Sequence, residues 1–219
     1  MIEDYYYEKF ITMAHQCGNA ELMLCSSGNL SIRVAEYALI SGTGSWLPAI
    51  TKDKISLCRI ADGVVMNGVK PSMESGFHLE ILRNRLEINT VLHSQSNFAT
   101  TISCMSEKPA NFNVTAEIPC HCGKEIPIVP YFRPGSAELA KAVTAAMQHH
   151  DCVLLSKHGQ VVCGKNFDDV FQKALFFEMA CRIIVQSGFK YEVLTEQEIK
   201  DLEHYVSGKQ HEHESSDSR

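Results

Sequence analysis

The sequence predicts an α/β protein in which helices cover both faces of a mixed or mostly antiparallel sheet. Helix-like and strand-like segments alternate along the chain, and several strands are joined by short turns, which form antiparallel pairs. The chain contains neither a GxGxxG fingerprint nor a P-loop, so a Rossmann fold and a nucleotide cofactor lose support. We therefore expect a sheet built largely from neighbouring hairpins.

One domain over residues 1–207 accounts for nearly all of the 219 residues. Hydrophobic residues make up 45% of the chain, which is enough for a packed core. Residues 208–219 (GKQHEHESSDSR) are polar and are expected to form a disordered tail.

The first part of the chain predicts a helix followed by paired strands. Apolar residues recur at spacings of three and four over the first segment, and Gly18 ends that pattern. Residues 61–63 (Ala-Asp-Gly) are a hairpin signal between two later runs. The predicted elements here are a helix over residues 3–17 and strands over residues 30–34, 37–41, 55–60 and 64–67.

The second part alternates helices and short apolar strands. Ser136 is a suitable N-cap for one helix, with Glu138 in its first turn. The predicted helices span residues 74–85, 98–105, 136–149, 167–188 and 195–206, and the predicted strands span residues 90–94, 126–129, 152–156 and 160–163.

Charge and hydropathy exclude several classes of function. The formal net charge is −6 and no basic stripe is present, so nucleic acid and anionic membranes are not expected partners. No run approaches the ~20 apolar residues of a transmembrane helix. The first ten residues carry acids and tyrosines where a signal peptide has a basic end and an apolar run. We expect a cytoplasmic protein.

Nine cysteines are scattered through apolar segments, an odd number in a chain too long to need disulfides. We expect buried, reduced thiols. The side chains of Cys120, His121 and Cys122 are of types that bind metals. No second pair of Cys or His residues lies at the spacing of a zinc finger, however. A turn before the strand at residues 126–129 is the favoured interpretation.

Three loops rich in small residues lie beside predicted elements. Such loops let the backbone approach a ligand and direct N–H groups and hydroxyls at an anion. Ser72 also lies just before the helix that starts near Glu74, where the helix dipole favours negative charge. Any one loop is more often an ordinary turn, but together they suit the phosphate of a small substrate. Their candidate phosphate-binding residues are Gly28, Asn29, Ser41, Thr43, Gly44 and Ser72.

Four side chains are candidate metal ligands. His93 and Gln95 point to the same side if both lie on one strand, His158 follows another strand, and Glu74 opens a helix. Three protein ligands with one open position are typical of catalytic zinc. Each histidine alone is more often a hydrogen-bonded structural residue. His78, one helical turn after Glu74, more often orients that carboxylate or packs than binds metal.

In order and spacing, these motifs resemble the class II aldolase/adducin family over roughly residues 5–205. The segments that carry the resemblance are GNLS at 28–31, SGTG at 41–44, PSME at 71–74, FH at 77–78, HSQ at 93–95 and KHG at 157–159.

The resemblance implies a three-layer α/β/α fold with a mixed, mostly antiparallel central sheet, and a homotetramer. It implies a zinc-dependent aldolase that cleaves a ketose 1-phosphate, of the L-fuculose 1-phosphate type, to dihydroxyacetone phosphate and an aldehyde through an enediolate. Glu74 matches the family's acid/base, and His93 and His158 match two of its zinc-binding histidines. The loops listed above match its phosphate site.

The chain departs from the family pattern at several positions. The third zinc-binding histidine falls on Gln95, whose amide oxygen is a weaker ligand than imidazole. No tyrosine stands at residues 111–113, where an aldolase has a proton donor, and Met73 replaces a usual serine. Tyr205 is a loose match to a tyrosine that the family brings from a neighbouring subunit.

Two alternatives stay open. One is a sugar-phosphate epimerase or dehydratase of the same fold, although the epimerases carry aspartate at the position of Glu74. The other is a non-catalytic, adducin-like assembly module, which the departure at Gln95 favours. The other candidate ligands and the phosphate-type loops favour an enzyme.

Overall fold

The computed structural model describes residues 2–205. The predicted tail at residues 208–219 lies outside the described residues. Within the described part, no helix is both long enough and apolar enough to cross a lipid bilayer.

Within residues 2–205, seven strands form one sheet, with the spatial order β3-β2-β1-β4-β7-β6-β5. Every neighbouring pair is antiparallel except β5 and β6, which are parallel. The predicted mixed, mostly antiparallel sheet is confirmed. The strands are β1 (Asn29–Val34), β2 (Tyr37–Ser41), β3 (Ile55–Arg59), β4 (Thr90–Ser94), β5 (Ile128–Val129), β6 (Cys152–Leu155) and β7 (Gly159–Gly164).

Helices cover both faces of this sheet. They are α1 (Asp4–Asn19), α2 (Ser75–Asn84), α3 (Asn97–Cys104), α4 (Ala137–Ala146), α5 (Phe167–Gln186) and a last helix, α6, over residues 196–205. Helices α1, α3 and α5 share one hydrophobic core with the sheet, and α2 and α4 share the other. The arrangement is a three-layer α/β/α fold.

Alternation along the central strand decides which layer each side chain meets. In β4, Leu92 belongs to the core under α1, α3 and α5, whereas Val91 belongs to the core under α2 and α4. Side chains two residues apart share a face of the sheet. His93 therefore turns toward α2, and its ring meets the ring of Phe77 edge-on at 6.2 Å.

The strand predicted over residues 64–67 is wrong. Its backbone pairs with β3 through a single isolated bridge between Cys58 and Val65, and it forms no regular strand. The Asn67 side-chain oxygen accepts a hydrogen bond from the Leu57 N–H, and the Asp62 carboxylate accepts one from the Val64 N–H. Side chains thus satisfy backbone groups that a second regular strand would have paired.

The prediction around Cys120-His121-Cys122 is also corrected. These residues lie in a turn of π-helix, Ile118–Cys122, and not in an ordinary turn directly before a strand. Strand β5 starts only at Ile128, because Pro127 has no N–H to donate to a sheet.

Candidate active site

Four loops meet at one edge of the sheet and enclose a cavity of about 360 Å³. The loops precede β1, follow β2, follow β4 and join β6 to β7. Because neighbouring strands here are antiparallel, these ends all lie at the same edge. The N-terminus of α2 completes the wall with Ser72, Met73 and Glu74.

Glu74, His93 and His158 meet in the wall of this cavity, and all three are buried. Their nearest ligand atoms lie within 4.8 Å of one another. Glu74 Oε2 is 3.4 Å from His93 Nε2, and Glu74 Oε1 is 3.5 Å from His158 Nε2. Residues separated by 19 and 65 positions are thus brought to one point by α2, β4 and the β6–β7 turn.

A hydrogen bond fixes the form of His93. Its Nδ1 lies 2.9 Å from the carbonyl oxygen of Gln160, which can only accept, so Nδ1 carries the proton. The other ring nitrogen, Nε2, therefore faces the Glu74 carboxylate. Such a carbonyl partner is typical of histidines that bind metals.

Two buried atoms of this cluster lack hydrogen-bond partners among the described residues. They are His93 Nε2 and Glu74 Oε1. Leaving such polar atoms unpaired in the interior is costly. A cation held between them would satisfy both. Imidazole nitrogen and carboxylate oxygen are ligands that Zn²⁺ accepts, so the donor set fits a zinc-type divalent ion.

The protonation states also suit metal binding. Burial, with a contribution from His93, lowers the pKa of His158 to about 4, against an opposing effect of Glu74. Burial raises the pKa of Glu74, but the neighbouring imidazoles and the Asn29 amide outweigh burial and bring it below its usual value. Near neutral pH the cluster holds a neutral imidazole and an ionised carboxylate, the forms that bind metals.

A chain of three hydrogen bonds runs from Glu74 into the core. The Asn29 amide nitrogen donates to Glu74 Oε2 at 2.9 Å, and the Asn29 oxygen lies 2.5 Å from His78 Nε2. The amide oxygen only accepts, so His78 Nε2 carries the proton, and the Ser31 hydroxyl donates to His78 Nδ1 over 2.7 Å. Burial lowers the pKa of His78 to about 3, which keeps the ring neutral. His78 thus orients Asn29, and Asn29 orients Glu74.

Gln95 lies just beyond β4, is half-buried and lines the same cavity. The neighbouring strand approaches this point closely: a Cβ atom on Gly159 would lie 2.4 Å from the Ser94 carbonyl oxygen and 3.1 Å from Gln95 Cγ. Glycine at position 159 therefore lets β7 pack directly against the turn that carries Gln95.

Five of the six candidate phosphate-binding residues line the cavity, and Ser41 does not. The Ser41 hydroxyl accepts a hydrogen bond from the Leu30 N–H at 3.1 Å, so it braces β2 against β1 and does not face the cavity. The residues that do line it are Gly28, Asn29, Thr43, Gly44 and Ser72.

Gly28 has a second role in this loop. Its φ is +103°, and a Cβ atom there would lie 2.8 Å from the carbonyl oxygen of His93. Only glycine allows the loop to lie this close to the strand that carries His93.

Sequence reasoning missed part of the cavity wall. Ser26 and Ser45 lie beside the predicted loops, and Ser27 opens the first of these loops but was not among the candidate phosphate-binding residues. Tyr131 and Pro134 come from the segment between β5 and α4, where nothing in the sequence pattern singled them out.

The segment at residues 111–113 is structural here. Phe112 packs edge-on against Phe177 with ring centroids 5.0 Å apart, and the Asn113 amide donates to the Lys124 carbonyl. Tyr205 is exposed and lies in the last helix.

Comparisons with known proteins identify the family of this chain. Residues 8–185 match the family described as Class II Aldolase and Adducin N-terminal domain. The 3-oxo-tetronate 4-phosphate decarboxylase of Pectobacterium atrosepticum is 32% identical over 182 residues, which cover 81% of this chain and 83% of that protein. The L-fuculose phosphate aldolase of Methanococcus maripaludis is 32% identical over 169 residues, which cover 77% and 90%.

Solved structures share the fold. The crystal structure of YgbL from Escherichia coli superposes with a TM-score of 0.83 at 28% identity, covering 89% of this chain and 96% of that one. An L-fuculose 1-phosphate aldolase superposes with a TM-score of 0.84 at 24% identity, covering 94% and 98%, which bears on the fold alone. Because the family's pattern runs through most of the sequence and relatives more than 30% identical align with over three quarters of it, the chain belongs to the class II aldolase and adducin family.

Proposed function

We propose that this protein is a divalent-metal-dependent lyase that breaks a carbon–carbon bond beside the carbonyl group of a phosphorylated sugar. One observation carries the proposal. The unpartnered atoms of His93 and Glu74 converge with His158 in the wall of a cavity that small, polar loops also line. A non-catalytic module has no need to bury such a cluster.

Glu74, His93 and His158 would hold the cation, with the Gln95 amide oxygen as a further candidate ligand. When bound, a divalent cation polarises the substrate carbonyl and stabilises the negative charge that develops on its oxygen. We propose zinc as the ion.

Glu74 is the proposed acid/base. Asn29 holds Glu74 Oε2, whereas Oε1 has no hydrogen-bond partner among the described residues. Oε1 would be a cation ligand in the substrate-free enzyme, and it is the carboxylate oxygen that can exchange a proton with bound substrate.

The small-residue loops are the proposed phosphate site. Gly28, Gly44 and Ser72 bring backbone and hydroxyl groups to the cavity. The Thr43 N–H already donates to the Lys70 carbonyl, so the Thr43 side-chain hydroxyl is its available donor. Binding the phosphate at a distance from the reacting carbons positions them over Glu74.

Within this class, we propose aldol cleavage of a ketose 1-phosphate of the L-fuculose 1-phosphate type to dihydroxyacetone phosphate and an aldehyde. The support is the aldolase relative at 32% identity. A second candidate is decarboxylation of a 3-oxo-tetronate 4-phosphate, which the decarboxylase relatives at 29% and 32% identity favour. The homotetramer and the cytoplasmic location stay predictions.

Both substrates are tested with the same metal-loaded enzyme. Dihydroxyacetone phosphate is measured after L-fuculose 1-phosphate is added, and carbon dioxide after 3-oxo-tetronate 4-phosphate is added. We expect one of the two reactions, its loss on chelation, and its return with zinc. If neither product forms with zinc, manganese or cobalt, the proposal is refuted.

A further inference from the structure

Lys157 is the single Lys or Arg among the described residues that line the cavity. It lies in the turn between β6 and β7, directly before His158. Its side chain is exposed, and within the described part of the chain no carboxylate pairs with its ammonium group. The charge is thus available to a ligand.

The turn that carries Lys157 is firmly anchored. The Lys157 N–H donates to the Ser103 carbonyl at 2.9 Å, and the His158 N–H donates to the Ser103 hydroxyl at 3.2 Å. Lys157 has a φ of +57°, a conformation that glycine and asparagine adopt more readily. The backbone conformation of this turn does not itself favour lysine.

The order of the strands separates Lys157 from the proposed phosphate loops. Along the sheet the neighbours are β2, β1, β4 and β7. The small-residue loops lie at the ends of β2 and β1, His93 lies near the end of β4, and Lys157 lies just before β7. With strands about 4.8 Å apart, the loop before β1 and the turn before β7 are about 10 Å apart.

We propose that Lys157 binds a carboxylate at the end of the substrate opposite to its phosphate. A substrate that lies along this edge would place its phosphate at the loops, its reacting carbons at the metal cluster, and its far end at Lys157. The preferred substrate is then a phosphorylated sugar acid and not a sugar phosphate with a neutral end. This inference rests on the proposed function and, of its two candidate substrates, favours the second, a 3-oxo-tetronate 4-phosphate, over the ketose 1-phosphate.

Binding of two unreactive ligands tests this inference without any turnover. Erythronate 4-phosphate and erythritol 4-phosphate differ only in a carboxylate against a hydroxymethyl group, and neither has a ketone to react. Calorimetry with the zinc-loaded protein should show the acid binding about tenfold more tightly or better, the scale of one charge-assisted hydrogen bond.

Matched variants assign this preference to Lys157. Lys157→Gln should remove it, and so should Lys157→Asn, which suits the backbone conformation of the turn. Lys157→Arg should keep it. Lys141→Gln, on the exposed face of α4, should leave it unchanged. Equal affinity of the two ligands in the wild type, a preference that survives Lys157→Asn, or failure of both ligands to bind would overturn the inference.

Kinetics separate this inference from the proposed function. An ion pair with the substrate carboxylate forms in the ground state and is lost as carbon dioxide departs, so Lys157→Gln should raise KM about tenfold without lowering kcat. An enzyme that shows the ligand preference but cleaves no carbon–carbon bond would refute the proposed function and leave the carboxylate site standing. An active lyase that binds the two ligands equally well would refute the carboxylate site and leave the proposed function standing.

Discussion

Glu74 is fixed from two sides before any ligand binds. The Ser72 hydroxyl accepts a hydrogen bond from the Glu74 N–H at 3.2 Å, which sets the backbone, and the Asn29 amide holds the carboxylate. The catalytic group is therefore preorganised, and small changes to it should affect turnover far more than stability.

Replacing Glu74 with Gln should lower turnover by about 100-fold or more, the scale of lost general acid/base catalysis. The amide has the same shape and can still accept from Asn29, so the fold should persist. Steady-state rates on the substrate identified above, together with thermal unfolding, check both expectations. Near-normal turnover would remove Glu74 from the chemistry.

His78 is a positioning residue because it acts on Glu74 through Asn29. His78→Phe preserves the stacking on Phe77 but leaves the Asn29 oxygen without its donor, at a cost of about 1–3 kcal/mol in unfolding free energy. The freed amide should also let Glu74 move, so kcat should fall about tenfold or more, with a shifted pH–rate profile.

The graded control for this effect is Ser31→Ala, which removes only the hydroxyl that donates to His78 Nδ1. Its loss of kcat should be smaller than that of His78→Phe. If both variants keep the wild-type kcat and pH profile, the hydrogen-bond chain is structural only.

Gln95→His should tighten zinc binding by about tenfold or more, equivalent to roughly 1.4 kcal/mol, because imidazole is a better zinc ligand than an amide. Competition with a chromophoric chelator measures the affinity. The control is Asn97→His, an exposed position just beyond Gln95. Unchanged affinity in Gln95→His would show that residue 95 does not face the metal.

At the scale of elements, helix α3 depends on a carboxylate from a distant helix. Ser96 stands at its N-cap position but makes no side-chain cap of its own. Glu178 of α5 accepts hydrogen bonds from the Ser96 hydroxyl at 2.6 Å and from the N–H groups of Phe98 and Ala99 at 2.8 and 2.9 Å. The same Ser96 hydroxyl accepts from the Gln160 amide, so this cap extends toward His93.

Glu178→Ala should lower the unfolding free energy by about 2–3 kcal/mol, because it leaves two N–H groups of the helix terminus without their acceptor. Urea unfolding measures the change. Glu192→Ala, which alters an exposed carboxylate, is the matched control and should stay within about 0.5 kcal/mol of the wild type. Equal stability of the two variants would contradict the role of Glu178.

Elements with strong local signals were predictable, and those governed by distant contacts were not. Strand β4 was predicted with its observed ends, and Ser136 does cap α4 through the Leu139 N–H. Residues 64–67 are a short apolar run after a hairpin signal, but the Asn67 side chain competes for the backbone of β3. The cap from Glu178 lies about 80 positions from α3, where no local pattern can reveal it.

The candidate site likewise combines features that the sequence predicts with features that depend on distant contacts. Resemblance to a family brought Glu74, His93 and His158 together, and the structure places them at one point. Spacing alone could not show that Asn29 faces Glu74 or that Ser41 turns away, because both depend on how β1, β2 and α2 pack.

At the scale of the whole molecule, a partly buried network of charges joins α5 to the sheet. Lys173 of α5 is buried and pairs with Asp151 at 2.7 Å and with Asp169 at 3.1 Å. Arg85, just after α2, pairs with the same Asp151 at 2.9 Å. Helices from opposite layers thus meet at one carboxylate beside β6.

This network predicts how stability depends on pH. Burial raises the pKa of Asp151, but Lys173 and Arg85 outweigh burial and bring it below the usual value. A carboxyl whose pKa is depressed by folding stabilises the protein above its unfolded pKa of about 3.9, and that stability is lost as the pH falls through the lower folded pKa. Unfolding free energy should therefore decline below about pH 4.

Asp151→Asn should be about 3 kcal/mol less stable than the wild type at pH 7, because it leaves Lys173 with only one of its two partners. Its stability should also fall less steeply below pH 4, because the depressed carboxyl is gone. Urea titrations at several pH values measure both. Parallel pH curves for the variant and the wild type would assign the acid sensitivity to other groups.

The outermost strands of the sheet have a consequence for how separate molecules meet. On one side, the segment around Val65 covers part of β3, and on the other, β5 is only two residues long. In the part of the chain that the structure describes, neither border of the sheet offers another chain a long row of unpaired backbone groups. Intermolecular strand pairing of the kind that nucleates fibrils is thereby disfavoured, and contacts between copies are left to side chains.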